Sequence, residues 1–268
     1  MIASLARLLI PALGLVATAL PALAQGIDIQ PSSVEIPAEP GERYRQMLTV
    51  TNLSDEMSRD LTVGLADWTL SRQGALVLSP EGTDERSATG WTRITPAYLP
   101  LAPGQSGKVI VDIIVPAKPA AAGDYKLALM ASEVAPGADG RMQKTEGASL
   151  FYLTVQPAMS APEVSGVRVA GTASAPRLEV DLTNSGNAHA RLEGKIRIEG
   201  RDGTGQTYPV TNLVVLDASD RTFSISLDGP LPQDARVTVT LDDISAPQAR
   251  TGVAPLRTYS APLDAPTG

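Results

Sequence analysis

The sequence contains no cysteine and a single histidine, His189, among 268 residues. Without thiols there can be no disulfide bond, cysteine-based zinc site or cysteine nucleophile. A catalytic or metal centre on histidine needs several positioned partners, and no second histidine exists to join His189. No G-x-S-x-G pattern marks a serine nucleophile, and no glycine-rich loop connects a strand to a helix. We therefore expect no enzyme, no metal site and no cofactor.

Aromatic residues make up only 4% of the chain, and no segment of ten residues or more has the apolar spacing of an amphipathic helix. Apolar and polar residues instead alternate in short segments, which 23 glycines and 22 prolines interrupt. Strands that recur about every ten residues with turns between them are typical of β-sandwiches. The sequence thus predicts an all-β protein with cores of valine, leucine, isoleucine and alanine.

A long apolar run occurs only at the start, where Arg7 precedes the segment from Leu8 to Leu20 and the small-residue motif Ala22-Leu23-Ala24. This order is that of a secretory signal peptide, so we predict a signal at 1–24 that is cleaved near Ala24. The run is short for a membrane anchor, contains Pro11 and is followed directly by Pro21. We expect an exported protein without stable membrane insertion.

Positive charge is also scarce, with 22 Lys and Arg against 29 Asp and Glu and a formal net charge of −7. Loss of the signal peptide removes Arg7 and makes the chain more acidic still. Nucleic-acid binding requires a basic face, so this balance speaks against a nucleic-acid partner. It likewise indicates no general attraction to anionic lipid.

The alternating segments fall into two groups. We predict a first β-sandwich over 25–157 with about seven to eight strands, a linker at 158–166 and a second sandwich over 167–259 with about six strands. The linker is rich in proline and small residues, and the tail 260–268 is expected to be loose. Pro31 interrupts the first alternating segment, which suits a strand at an edge or one that switches between sheets.

Two similar stretches, LTVTNLSDEM and VDLTNSGNAH, each end a strand at a Thr-Asn pair. Asparagine tolerates left-handed backbone angles, and its side chain can bond the backbone two residues onward. We therefore expect Asn52 and Asn184 to begin equivalent turns. His189 follows the second of these turns, and the sequence offers it no partners for a catalytic or metal site. It is therefore expected to be an exposed turn residue. Trp68 and Trp91 are expected to be core residues, with a ligand contact at the rim as the alternative for Trp91.

Several segments, in order and approximate spacing, resemble the PapD-like superfamily of periplasmic pilus-assembly chaperones. They are IDIQPSSVEI, LTVTNLS, ITPAYLPLAPGQSGKVIVDI, AGDYKLALMASE and ASLFYLTVQP, followed by a linker and a second β domain. The resemblance covers roughly residues 27 to 157. It implies two tandem immunoglobulin-like sandwiches in the periplasm, which bind pilin-like or other envelope subunits, and it adds an outer-membrane usher as a candidate further partner.

In such chaperones an edge strand complements the subunit, and a basic pair in the cleft between the domains holds the subunit's terminal carboxylate. The resemblance therefore places a contact along Gly147 to Thr154. The candidate partner-binding residues are Lys144, Ala148, Ser149, Leu150, Tyr152 and Gln30. This sequence departs from the family at Gln30 and Ser149, where basic residues are expected. Residues 143–148 also lack the apolar side chains that a donor strand would insert.

A second set of PapD-like sandwiches, the surface domains that include the peptidoglycan-associated part of WxL-interacting proteins, is also similar. The shared order is a tryptophan, L-x-P-G, a valine-rich strand, V-P and G-D-Y, all within residues 90–129. This resemblance implies an envelope scaffold or adhesion module instead of a chaperone. Both alternatives are binding proteins.

Overall fold

The computed structural model describes residues 26–137, 139–172, 175–229, 231–232, 234–245 and 257–263. Within these ranges the chain forms seventeen β-strands and one short 3-10 helix, which confirms the all-β class expected from the sequence. None of the described segments forms a helix long and apolar enough to cross a membrane. The signal peptide predicted at 1–24 lies outside the described residues.

The first half of the chain contains ten strands and the short helix Thr89–Trp91. The strands are β1 (Ile27–Gln30), β2 (Ser33–Ala38), β3 (Arg43–Asn52), β4 (Arg59–Leu70), β5 (Leu76–Pro80), β6 (Thr92–Thr95), β7 (Tyr98–Leu101), β8 (Ser106–Ile114), β9 (Gly123–Pro136) and β10 (Met142–Val155). The number exceeds the seven to eight expected because a proline divides the first expected strand and because β7, a short strand after the expected end near Pro96, was not predicted. Pro31 separates β1 from β2, and Pro96 separates β6 from β7.

The described part of the second half contains seven strands. They are β11 (Pro162–Thr172), β12 (Ala175–Asn184), β13 (Ala190–Glu199), β14 (Gly205–Val215), β15 (Ser219–Ser226), β16 (Arg236–Asp243) and β17 (Arg257–Pro262). β11 begins inside the segment predicted as a linker, and β17 extends past the predicted start of the loose tail. The division of the chain into domains at 157, 166 and 259 stays a prediction.

Two sheets form the first half. One has the order β1-β3-β8-β6, and the other has the order β2-β10-β9-β4-β5, with β7 also paired to β4. β1 pairs with β3 in the first sheet, whereas β2 pairs in parallel with β10 in the second. The chain therefore changes sheet at Pro31, which is one of the two alternatives that the sequence left open. Alternate residues of both sheets point inward and form a buried cluster that includes Leu48, Val111 and Phe151.

Two further sheets form the second half, with the orders β11-β12-β15 and β14-β13-β16-β17. Their inward side chains form a separate cluster that includes Leu178, Ile196 and Val239. A third, smaller cluster joins the halves. It consists of Trp68, Ala128 and Tyr152 from the first half and Val214 and Leu216 from the second. Each half thus has its own core, and the outer face of the β10-β9-β4 sheet packs against the second half.

Candidate partner-binding site

β10 has an open backbone edge over its first half. It pairs with β9 along its whole length, but β2 pairs with it only from Leu150 to Val155. The Leu150 N–H donates to Ser32 O at 3.0 Å, on the side away from β9. Backbone groups of alternate residues point to the same side of a strand, so those of Met142, Lys144 and Glu146 face this open side. Hydrogen-bonding groups of three alternate residues are therefore available to another strand.

The six predicted partner-binding residues surround the end of this edge. Lys144 is exposed and forms an ion pair with Glu146 at 2.5 Å. Ala148 is half-buried, whereas Ser149 is buried and its Oγ donates to Pro31 O at 2.7 Å. Gln30 is exposed and pairs with Thr49 across β1 and β3. The structure brings Gln30 close to Ser149 through Pro31, but their role in binding stays a prediction.

Leu150 and Tyr152 lie outside the open edge. Both have strands on both sides, and Tyr152 is only 3% exposed. The Tyr152 ring packs edge-on against Trp68 at a centroid distance of 5.0 Å. The contact expected along Gly147 to Thr154 therefore has a free backbone edge only before Leu150. A Tyr152→Glu substitution would bury a carboxylate and disturb folding. It therefore cannot be used to test binding alone.

The expectation that His189 is an exposed turn residue is wrong. The side chain is 5% exposed and lies between the two halves of the molecule. Its Nδ1 is 2.6 Å from Asp124 Oδ2, and its ring packs on Tyr152 at 4.3 Å. The expectation considered only the local turn, and the burial comes from the first half of the chain. Alanines on both sides of His189 are the one local hint that its surroundings are crowded.

Asp124 is the centre of this contact between the halves. Its carboxylate is fully buried and accepts hydrogen bonds from the His189 backbone N–H and from Thr154 Oγ1, both at 2.6 Å. The Asp124 backbone N–H donates to Asn187 O at 2.9 Å. Local sequence gave no sign of these partners, which lie 30 to 65 residues from Asp124.

Four charged groups meet at this junction, two cations and two carboxylates: His189, Arg191, Asp124 and Glu35. Burial opposes a charge on His189, but Asp124 and Glu35 outweigh it and raise the pKa of His189 to about 9. The His189 ring and Arg191 lower the pKa of Glu35 to about 2, against the effect of burial. Burial also opposes ionisation of Asp124, yet its bonds to His189 keep its pKa below the usual value. At neutral pH two cations therefore face two carboxylates.

A cavity of about 220 Å³ opens beside His189. It is lined by Glu35, Ile36, Pro37, Thr154, Gln156, Ala158, Ser160, Ala188, His189 and Ser245. His189 Nε2 is buried without a hydrogen-bond partner in the described part of the chain and lies 3.5 Å from Glu35 Oε1. Its proton could be donated to an acceptor in the cavity. The described residues contain no group of three or more His, Asp or Glu placed to hold a metal ion.

No family model matches the chain, and no curated protein matches it. Solved structures do resemble it. The YadV chaperone is 10% identical, with a TM-score of 0.45 over 88% of this chain and 99% of that one. A complex of the CsuC chaperone with the CsuE tip subunit, from Csu pili of Acinetobacter baumannii, gives 11% identity and a TM-score of 0.45 over 88% of this chain and 97% of that one.

A chaperone–tip adhesin complex of CFA/I fimbriae is similar in the same way. It shares 11% identity and a TM-score of 0.44 over 90% of this chain and 100% of that one. Each of these three structures contains a chaperone, and the two complexes belong to pili or fimbriae.

Proposed function

We propose that this chain is an exported, chaperone-like binding protein that pairs an extended segment of a secreted subunit with the open half of β10. The observation that carries the proposal is the row of outward backbone groups at Met142, Lys144 and Glu146, with no strand beside them in the described residues. An exposed strand edge is a template for another strand, and main-chain hydrogen bonds supply the affinity.

Two other long edge strands, β11 and β14, are less suited to strand pairing because they are irregular. β11 has a register shift between Val164 and Gly166. β14 contains Pro209 and an interruption of its pairing, and Asn212 has a φ of 53°. Bulges and prolines are features that protect sheet edges from pairing. By contrast, the register of β10 against β9 continues without a shift from Met142 to Val155.

The side chains of the open half indicate how selective the pairing is. Lys144 and Glu146 neutralise each other, and the alternate positions are Gln143, Thr145 and Gly147. Apart from Met142 at the start of the strand, which is 63% exposed, no side chain of the open half would fill a deep apolar groove in a partner, so we infer that affinity comes mainly from the backbone. The subunit would then be recognised as an unpaired strand and less by its sequence.

The predicted signal peptide favours a periplasmic protein. Because the chain has no cysteine, the stability of that protein rests on burial and not on disulfide bonds. The sequence motifs favour fimbrial or surface-appendage subunits as the partners. An usher would be a further partner of the loaded complex.

The experiment compares the strain of origin with a deletion strain that expresses the wild type, Lys144→Pro or Lys144→Ala. Proline at 144 removes the outward N–H and leaves the bonds to β9, whereas alanine keeps that N–H. We expect an exported subunit to be degraded in the deletion strain and rescued by wild type and Lys144→Ala. We expect Lys144→Pro to remain folded, to fail to rescue and to yield no one-to-one complex with that subunit.

Stable exported subunits in the deletion strain would refute the chaperone role. Full rescue by a folded Lys144→Pro protein would refute the site. Recovery of the chain with peptidoglycan, without any one-to-one subunit complex, would instead favour the envelope scaffold.

A further inference from the structure

Basic side chains are concentrated on the outer face of the β1-β3-β8-β6 sheet. Because side chains alternate along a strand, the inward residues of β3 and β8 are buried and their neighbours point outward. The outward cations are Arg43 and Arg45 on β3, Lys108 on β8 and Arg93 on β6, and all four are exposed. This sheet therefore has a face rich in positive charge, although the chain as a whole is acidic.

Three arginines meet around one carboxylate on this face. Asp112 lies opposite Arg45 on one neighbouring strand and opposite Arg93 on the other. Arg45 binds Asp112 through two contacts, at 2.6 and 3.0 Å, and Arg43 adds to the positive field that lowers the Asp112 pKa. Asp28 on β1 is the other carboxylate among the strands of this sheet that faces outward. Four cations against two carboxylates leave the face positive.

The arginines line a shallow hollow of about 380 Å³, bordered by Arg43, Arg45, Arg93, Asp112 and Ile114. Apolar side chains remain exposed beside it. Met47 is 57% exposed and follows Arg45 on the same side of β3, and Ile114 is 42% exposed and lies opposite Arg43. The face is thus open, with cations and apolar side chains interspersed.

We propose that this face binds the surface of an anionic phospholipid bilayer, with a lipid phosphate in the hollow between the arginines. Guanidinium groups form paired hydrogen bonds with phosphate oxygens, and Met47 and Ile114 lie where they can enter the headgroup boundary. An open sheet face can lie against a bilayer, whereas a bound acidic peptide would be expected in a groove or along an edge.

The net charge of the chain, −7, does not prevent this contact. Physiological salt screens charges beyond about 8 Å, so a bilayer against this sheet responds mainly to the four local cations. The opposite sheet of the same sandwich contains β10, so the lipid contact and the proposed subunit contact do not overlap. The expectation of no general attraction to anionic lipid considered only the total charge and not its distribution.

Vesicle sedimentation tests the proposal with the full mature chain. The probes are vesicles of phosphatidylcholine alone and of equal parts phosphatidylcholine and phosphatidylglycerol. The face variant is Arg43→Gln/Arg93→Gln/Lys108→Gln, which keeps the Arg45–Asp112 pair. The control is Arg141→Gln/Lys195→Gln/Arg201→Gln, which removes the same charge from other exposed positions. Thermal unfolding verifies that both variants fold.

We expect wild type and control to bind only the anionic vesicles, less tightly as salt increases from about 0.05 M to about 0.5 M. The face variant should bind at least tenfold more weakly, since each cation near an anionic surface contributes about a fivefold factor. Met47→Ser should weaken binding without changing its salt dependence. Equal binding to both vesicles, or equal losses in the face and control variants, would overturn the proposal. Binding to soluble hexaglutamate but not to vesicles would overturn it in favour of an acidic protein partner.

Discussion

Asn52 and Asn184 perform the same task in the two halves of the molecule. The Oδ1 of each accepts the backbone N–H two residues onward, from Ser54 and Gly186, as the sequence predicted. Each Nδ2 also contacts three carbonyl oxygens: those of Met57, Leu101 and Ala102 for the first, and those of Ala188, Val215 and Leu216 for the second. Both side chains are buried, so each amide satisfies backbone groups that water cannot reach.

Replacing either asparagine by aspartate should be strongly destabilising. A carboxylate of the same shape would face three carbonyl oxygens without any proton to donate, so we expect Asn52→Asp and Asn184→Asp each to cost about 3 kcal/mol. Urea unfolding of the purified protein measures the change. Gln73→Glu makes the same chemical change on an exposed turn and should cost less than about 0.5 kcal/mol. Comparable losses at all three positions would contradict the role given to the buried amides.

His189 should make the stability of the protein depend on pH above neutrality. Its folded pKa is raised from 6.5 to about 9, so its contribution is complete below pH 6.5 and is lost as the pH rises toward 9. The size of the contribution is about 3 kcal/mol. Glu35, with a pKa lowered to about 2, adds stability above pH 4.5 that is lost as the pH falls toward 2.

Urea unfolding between pH 5 and pH 9.5 tests this dependence. We expect wild type to lose stability steadily from pH 6.5 upward, whereas His189→Gln is less stable at pH 6 and nearly flat over the same range. An identical slope in both proteins would show that His189 is not charged at the junction.

At the scale of single elements, β10 has two different environments along one strand. Its second half is an interior strand between β9 and β2, and its first half pairs, among the described residues, with β9 alone. The sequence predicted an edge strand or a change of sheet at Pro31 because proline cannot continue a central ladder. It did not predict where the pairing of β2 with β10 begins, since that register depends on contacts between residues more than a hundred positions apart.

Proline substitutions test which backbone N–H groups of the open half of β10 point outward and which point toward β9. Lys144 points its N–H outward, so Lys144→Pro should cost about 1 kcal/mol or less. Thr145 lies opposite Glu133 and points its N–H toward β9, so Thr145→Pro should cost about 3 kcal/mol. Thermal or urea unfolding of the two variants measures the difference. Equal costs would mean that the open half is not paired in the register described.

At the scale of the whole molecule, the two halves are joined by contacts of several kinds. Trp68 and Tyr152 pack with Val214 and Leu216, and Lys126 forms a buried ion pair with Asp217 at 3.0 Å. At Gly123, with a φ of 108°, an added Cβ would lie 2.3 Å from the Asn187 carbonyl oxygen. Only glycine permits this approach.

The two-part architecture could be predicted from alternation and turn chemistry, because these patterns are local. The junction could not, because Asp124, His189 and Val214 meet only after both halves have folded. Where the open edge of β10 ends could not be predicted either, because it depends on the distant strand β2. The free edge covers only the part of the predicted contact Gly147 to Thr154 that precedes Leu150, and the binding roles of the candidate residues stay predictions.

The junction should make the two halves unfold together. Val214 points toward Trp68 and away from the core of the second half, so Val214→Asp places a charge in the joining cluster and leaves both cores intact. We expect one calorimetric transition for wild type and two for Val214→Asp. Val210→Asp, inside the second core, should instead unfold that half. A single, unshifted transition in Val214→Asp would show that the cluster does not couple the halves.

Residue-resolved hydrogen exchange on the one-to-one complex with an exported subunit tests the central claim most directly. In the free protein, the amides of Met142, Lys144 and Glu146 should exchange quickly, and those of Gln143 and Thr145, which face β9, should exchange slowly. If a subunit strand pairs with the open half of β10, the first set becomes protected in the complex while the second changes little. Unchanged fast exchange at all three outward amides, in a complex that is otherwise intact, would contradict the account.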